Sequence, residues 1–294
     1  MKKVSVEELE NSYYKAYDKT LTLWKTEFAS ERVTTTFGET HVLVSGKPSS
    51  PPLILLHAHE FSSTMWYTNI AELSECFRVY AVDILGDKNR TKVTRFPNTR
   101  EEYADWLEEV LNHFKVNTAS IVGISYGALM ALNFAILRPE RVGKLFIMSP
   151  SMGISNINGF YVAKLIVNSV VSSRPQFISK LMHWMFDERF HPQTEFYEQI
   201  VAGAVWGNPH SHVQKGKRVW PYLFKNEELS QIKCPVHIVV GDKDPTQNIE
   251  KTIQRAQSYI QGVTTERIKS GHFMNMETPE IVNFKILEFM RTKD

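Results

Sequence analysis

A serine set between two glycines, Gly123-Ile124-Ser125-Tyr126-Gly127, is the group in this chain best suited to covalent chemistry. A serine hydroxyl is a weak nucleophile at neutral pH and needs a base to take its proton as it attacks. The flanking residues make this serine a candidate. Ala119 to Val122 is a short apolar run fit for a buried strand, and Ala128, Leu129, Ala131, Leu132, Ala135 and Ile136 then follow a helical pattern. In a strand–turn–helix setting, G-x-S-x-G predicts a nucleophile elbow. So sharp a turn brings the residues two before and two after the serine almost into contact, which predicts glycine at 123 and 127 and a strained backbone at Ser125. The competing reading is a serine that merely caps a helix.

The remaining chemistry asks for a base, an acid and two hydrogen-bond donors. Histidine suits the base because its pKa lies close to working pH. Among ten histidines, His272 stands after Gly271 and before a helix starting at Pro279, on a loop following the last strand. His113, His183, His191, His210 and His212 fall in helices or in the 151–228 stretch and read as structural or surface residues. A carboxylate must fix the imidazole tautomer and stabilise the imidazolium. Gly241-Asp242-Lys243-Asp244-Pro245 offers two, and Asp242 also fits a turn residue bonded to local backbone. A tetrahedral intermediate needs backbone N–H donors, and Tyr126, at the start of the elbow helix, is placed to supply one.

These residues must be carried by regular elements. Residues 5 to about 28 predict a helix, with Leu9, Tyr13, Tyr17, Leu21 and Trp24 at helical spacing. Arg32 to Ser45 reads as an entry hairpin around Phe37-Gly38-Glu39. Leu53–Leu56 and Phe77–Val82 are buried strands ending at His57 and Asp83, with a helix carrying Trp66, Ile70 and Leu73 between them. Thr99-Arg100-Glu101-Glu102 fits a capping box opening a helix to Phe114. Leu145–Met148, Pro235–Val240 and Val263–Ile268 complete the strands; Ile249–Tyr259 and Pro279–Met290 complete the helices. The alternation predicts an α/β fold, a mostly parallel sheet flanked by helices. Ser151 to about Glu228 breaks it with crowded apolar residues and no clear strand. The expected organisation is an N-terminal helix packed on the core (1–30), a core (31–150 and 229–294) and a helical cap or lid insertion (151–228).

Composition narrows the function. Of 294 residues, 34 are basic and 32 acidic, and a net charge of +2 is too balanced to imply nucleic acid or an anionic membrane as partner. Cys76 and Cys234 have neither metal spacing nor a disulfide framework, so both are expected to be buried free thiols. The charged N-terminus and the lack of any 18-residue apolar window predict a soluble, cytoplasmic protein without stable membrane association.

At this point the chain resembles the α/β-hydrolase superfamily, and within it the cap-bearing bacterial serine carboxylesterases. The resemblance covers roughly residues 35–290 and rests on the elbow, the LLHAHEFSSTMW loop, Gly241–Pro245 and Ser270-Gly271-His272-Phe273, in the family's order Ser, Asp, His. It implies catalytic Ser125, Asp244 and His272, with Asp244 favoured over Asp242 as the aspartate before proline. It implies an oxyanion hole from the Tyr126 and His59 N–H groups, and no cofactor. The chain departs from the family at His57-Ala58, where the usual pair is His-Gly, and in the polar His59 and Glu60 that follow. Ala58 is then expected to avoid conformations open only to glycine. A Glu60 carboxylate aimed at the oxyanion would oppose catalysis, so Glu60 is expected to point elsewhere.

The reading that results is hydrolysis of a small-molecule carboxylic ester with an apolar part, suggested by Trp184, Phe186, Trp206 and Trp220. The rivals are other triad chemistry (C–C, amide or perhydrolysis) and a ligand-binding receptor on a hydrolase scaffold. His57-Ala58-His59 has the look of a metal-ligand pair, but the Asp-His continuation such sites use is replaced by Glu60-Phe61, so no metal is expected.

Overall fold

A computed structural model describes residues 4–159, 186, 190–210 and 222–292, the last three residues of the 190–210 stretch by backbone alone. The sequence-predicted cap residues from 160 to 185 and from 211 to 221, Trp184 and Trp220 among them, lie outside the described residues.

Nine strands form one sheet among the described residues: β1 (Phe28–Thr35), β2 (Gly38–Ser45), β3 (Pro52–Leu56), β4 (Arg78–Val82), β5 (Lys92–Val93), β6 (Ala119–Ile124), β7 (Val142–Met148), β8 (Val236–Gly241) and β9 (Thr264–Ile268). Their order is β1-β2-β4-β3-β6-β7-β8-β9, with β5 paired to β2. β1 and β2 form the expected hairpin, Thr35 opposite Gly38, and β2 runs antiparallel to β4. From β4 to β9 every pairing is parallel. β3, β4, β6, β7 and β8 are buried over most of their length, which is why they read as apolar runs rather than alternating ones, whereas β9 at the sheet edge is buried only at Ile268.

Helices α1 (Val6–Leu21), α2 (Ile70–Cys76), α3 (Arg100–His113), α4 (Tyr126–Leu137), α5 (Thr194–His210), α6 (Asn226–Leu229), α7 (Ile249–Tyr259), α8 (Met274–Glu277) and α9 (Pro279–Arg291) surround the sheet. The core has two layers. Trp106, Leu107, Phe134 and Ile238 belong to one; Leu53, Val122, Phe146 and Ile286 belong to the other. α4 is apolar on all sides and buried from Tyr126 to Ile136, as a helix enclosed by its neighbours must be.

Several expectations need correction. α1 stops at Leu21 instead of continuing to residue 28, because the chain turns at Thr22 and Trp24 donates its indole N–H to Ser45 Oγ at 3.1 Å. A capping box of Ser5 and Glu8 opens that helix. The stretch around Trp66 is not one helix: a 3₁₀ segment, Ser63–Thr68, breaks at Asn69 before α2. Thr99 caps α3 by accepting the Glu102 N–H, but the Glu102 carboxylate accepts the Asn98 N–H at 2.6 Å, one residue beyond the expected partner. Cys234 is buried, which raises its thiol pKa to about 11, whereas Cys76 is only half-buried and accepts a hydrogen bond from Arg291. Among the described residues no helix is long and apolar enough to cross a membrane.

The 151–228 stretch leaves and re-enters the core at one place. The Phe224 N–H bonds to the Gly153 carbonyl at 2.9 Å, and Gly153 bridges Leu223. Beyond Gly153, the Asn158 N–H reaches the Thr246 carbonyl at 2.8 Å. α5, the described helix of this stretch, packs against α1: Trp206 stacks on Tyr13 at 5.0 Å between ring centres, and Thr20 donates to the Glu195 carbonyl. Trp206 is therefore part of the contact between these two helices.

Candidate active site

Strand order locates the site. β3 leads to β4 on one side and β6 lies on the other, so the direction of winding reverses between β3 and β6. At such a switch point the loops leaving the carboxyl ends of the strands part and leave a crevice. Leu56 and Gly123 are register partners there, so the loop from His57 and the turn at Ser125 emerge side by side.

Ser125 has φ 54° and ψ −113°, a conformation that L-residues rarely adopt. It is held by its N–H to the Met148 carbonyl at 3.0 Å and by its own carbonyl, which accepts the Leu129 N–H at 3.1 Å. Its side chain makes no capping hydrogen bond to α4, which removes the helix-cap reading. The glycines are sterically required. A Cβ on Gly123 would lie 2.5 Å from the Gly127 carbonyl oxygen, and one on Gly127 would lie 2.1 Å from that of Leu56.

His272 and Asp244 meet on the neighbouring loops after β9 and β8. The His272 Nδ1 lies 3.0 Å from Asp244 Oδ2, with both side chains buried. Asp244 also accepts the Thr246 N–H (2.9 Å) and hydroxyl (2.6 Å) at Oδ1 and the Gln247 amide (2.7 Å) at Oδ2. Burial alone would raise the Asp244 pKa, but the facing His272 and the Thr246 bonds outweigh it and hold the carboxyl at about 2. With an ionised carboxylate at Nδ1, the imidazole proton stays on Nδ1 and Nε2 is left as the acceptor. Of the two candidate aspartates, Asp242 is exposed and ion-paired with Arg267 at 2.9 Å.

The histidine loop has supports that the sequence pattern did not disclose. Glu277 accepts the Ser270 hydroxyl and the N–H groups of Gly271 and Phe273, at 2.8, 2.6 and 3.1 Å. Gly241 lets the loop cross strand β8, since a Cβ there would sit 2.1 Å from the Gly271 carbonyl oxygen. Phe273 packs against Phe61 and Phe186, so of the four aromatics expected to shape an apolar subsite, Phe186 lies next to the histidine loop.

Across the crevice, His57 is fully buried and both its ring nitrogens are engaged. Nε2 accepts the Ile84 N–H at 2.8 Å, so the proton sits on Nδ1 and is donated to the Ala58 carbonyl. This geometry disposes of the His57–His59 metal pair. The Phe61 N–H bonds back to the Ala58 carbonyl at 3.2 Å, closing a turn with Glu60 in third position at φ 69°. A turn of this kind demands positive φ at that position and favours glycine. The backbone demand therefore falls on Glu60, two residues after the Ala58 substitution, while Ala58 keeps ordinary geometry. The Glu60 carboxylate pairs with the Lys88 ammonium and lies 3.7 Å from His59 Nε2, and its N–H reaches Asp87 Oδ1 at 3.3 Å. The His59 ring meets the Tyr126 ring edge-on, 5.8 Å between centres. Among the described residues, His59, Glu60 and Asp87 have donor atoms clustered closely enough for a cation, and the Lys88 ammonium pairs with Glu60 of that cluster.

A second buried network supports this loop from below. Asp83, at the end of β4, accepts the Ser63 N–H at 2.7 Å, the Arg90 N–H at 3.1 Å and the Tyr17 hydroxyl at 3.2 Å, and faces His41 Nδ1 at 2.8 Å. Burial opposes its charge, yet these partners hold its pKa at about 2. Gln199 of α5 joins in from the other side, donating to Ser62 and accepting from the Thr64 hydroxyl.

Residues 53–283 match the sequence model of the alpha/beta hydrolase family. The chain is 34% identical over 283 residues to an uncharacterized carboxylesterase, nap, of Bacillus subtilis strain 168, covering 96% of this chain and 93% of that one. Carboxylesterase YbfK of the same organism is also 34% identical, over 95% of this chain and 93% of its own. The crystal structure of naproxen esterase (carboxylesterase NP) from Bacillus subtilis superposes with a TM-score of 0.89 at 32% identity, covering 99% of this chain and all of that one. With most of its length matched by the family model and its sheet wound in the same way, the chain belongs to the alpha/beta hydrolase family.

Proposed function

We propose that the protein is a serine esterase that cleaves small carboxylic esters through an acyl-enzyme. The observation that carries this reading is the buried Asp244–His272 hydrogen bond on the loops after β8 and β9, which leave the same carboxyl edge of the parallel sheet as the strained Ser125 turn. Ser125 Oγ attacks the ester carbonyl as His272 Nε2 takes its proton, and Asp244 stabilises the imidazolium. The N–H of Tyr126, in the first turn of α4, and that of His59 hold the oxyanion. The imidazolium then protonates the leaving alkoxide. Water, deprotonated by the same histidine, attacks the acyl group and releases the carboxylic acid and free Ser125.

Likeness to carboxylesterases over nearly the whole chain supports esters as the substrate class. Phe61, Phe186 and Phe273 beside the histidine support an apolar part in the substrate. We read residues 151–228 as a cap over this site, in keeping with the paired entry and exit at Gly153 and Phe224 and with the Gln199 bonds from α5 to the loop after β3.

The test is turnover of short p-nitrophenyl esters by the purified chain, with Ser125→Ala as control. Ser125→Ala should reduce kcat by about 10⁴-fold or more and abolish stoichiometric labelling by a fluorophosphonate. A wild-type chain that binds a ligand yet neither turns over esters nor takes the label would favour a receptor on this scaffold instead.

A further inference from the structure

The ion pair between Lys88 and Glu60 sits where a charge matters most. Glu60 follows His59, whose N–H is the proposed oxyanion donor, and it occupies the left-handed position of the turn that presents that N–H. Asp87 lies on the same side, 3.7 Å from His59 Nε2. Negatively charged carboxylates around the turn that presents an oxyanion donor would raise the energy of the oxyanion it holds. The Lys88 side chain, only 7% exposed, brings the compensating charge to Glu60 Oε2.

Lys88 is also built into the contact with α5. Its methylene stem runs beneath Gly203 and Gly207: a Cβ on Gly207 would lie 2.4 Å from Lys88 Cε, and one on Gly203 3.5 Å from Cδ. Its carbonyl accepts the Tyr13 hydroxyl of α1. Two glycines one helical turn apart thus make the groove through which a buried lysine reaches the loop. The stem packs along a helix face while the ammonium meets the Glu60 carboxylate, as a buried, amphipathic lysine does.

We propose that Lys88 is a positioning residue for ester cleavage: it pins Glu60, neutralises it beside the oxyanion and holds the His59 turn in register with α5. This rests on the reading of His59 as an oxyanion donor. The role differs from plain packing in one measurable way: its loss is reversed by removing the charge it neutralises.

The experiment compares kcat and KM for p-nitrophenyl butyrate in the wild type, Lys88→Met and Glu60→Gln/Lys88→Met, with fluorophosphonate labelling of Ser125 in each. Lys88→Met keeps the stem length and loses the charge. It should lower kcat about tenfold or more, with KM changed by less than about threefold, since an uncompensated charge acts on the transition state. The double variant should regain kcat to within about threefold of wild type. Lys88→Gln takes the place of Lys88→Met if the latter shows no cooperative thermal transition. The proposal is overturned by a charge-free Lys88 variant with wild-type kcat, or by a double variant as slow as the single one, which would leave Lys88 a packing residue. Both results presuppose a wild type that turns over through Ser125, so they are distinct from failure of the esterase reading itself.

Discussion

Asp244→Asn isolates the role of the buried acid, because the change is nearly isosteric and its consequence can be worked from four hydrogen bonds. The carboxylate accepts from the Thr246 N–H and hydroxyl at one oxygen and from Gln247 and His272 at the other. Asparagine offers one oxygen and one NH₂. If the NH₂ faces Thr246, it opposes a backbone N–H that cannot be reversed. The oxygen therefore stays with Thr246 and the NH₂ faces His272. Nδ1 must then become the acceptor, which moves the imidazole proton to Nε2, the nitrogen that should receive the Ser125 proton. The expected loss in kcat is about 10³–10⁴-fold, or roughly 4–5.5 kcal/mol in activation free energy. Stability should fall by about 1–3 kcal/mol from the mispaired Gln247 donor. The assay is kcat on a p-nitrophenyl ester across neutral to alkaline pH, with thermal melting to verify the fold. A loss smaller than about tenfold in a folded variant would refute the assignment. So would an equal loss in Asp242→Asn, whose side chain is exposed and paired with Arg267.

The elbow and the buried carboxylates give two further expectations. Gly127→Ala places a methyl 2.1 Å from the Leu56 carbonyl oxygen, so the melting temperature should drop by an amount corresponding to about 2–3 kcal/mol or more and fluorophosphonate labelling of Ser125 should slow; a neutral result would contradict the close approach of α4 to β3. Asp83 and Asp244 both have folded pKa values depressed to about 2 from an ordinary 3.8, so the stability they contribute is complete above pH 4 and is lost as pH falls from 4 towards 2. That loss is on the order of 2 kcal/mol per carboxylate. Denaturant unfolding at pH 6 and pH 2 measures it, and Asp83→Asn should remove about one carboxylate's share, roughly 2 kcal/mol, from the dependence.

What could be read from the sequence was local. The nucleophile turn is legible because its backbone geometry demands particular residues within five positions, and strands β3, β4, β6, β7 and β8 are legible because burial leaves them mostly apolar. The aspartate remained a choice between Asp242 and Asp244, since both stand at the end of β8 and only the third dimension shows which one turns inward. The supports of the site were invisible for a related reason. Tyr17 reaches Asp83 across 66 residues and Gln199 reaches Ser62 across 137, and no spacing rule joins such pairs.

Glu60 shows how the two kinds of information combine. From the sequence, the departure from the family at Ala58 placed the conformational difficulty there. The turn geometry moves it to Glu60, because the Phe61–Ala58 hydrogen bond makes residue 60 the one that must be left-handed. A glutamate in that conformation costs roughly 1–2 kcal/mol more than a glycine would. The cost is met by partners from elsewhere in the chain: Lys88 on the carboxylate and Asp87 on the N–H. A strained, charged residue kept on the loop that emerges beside the Ser125 turn, with a buried lysine supplied for it, is better explained by a function in holding the His59 turn than by tolerance of a misplaced side chain.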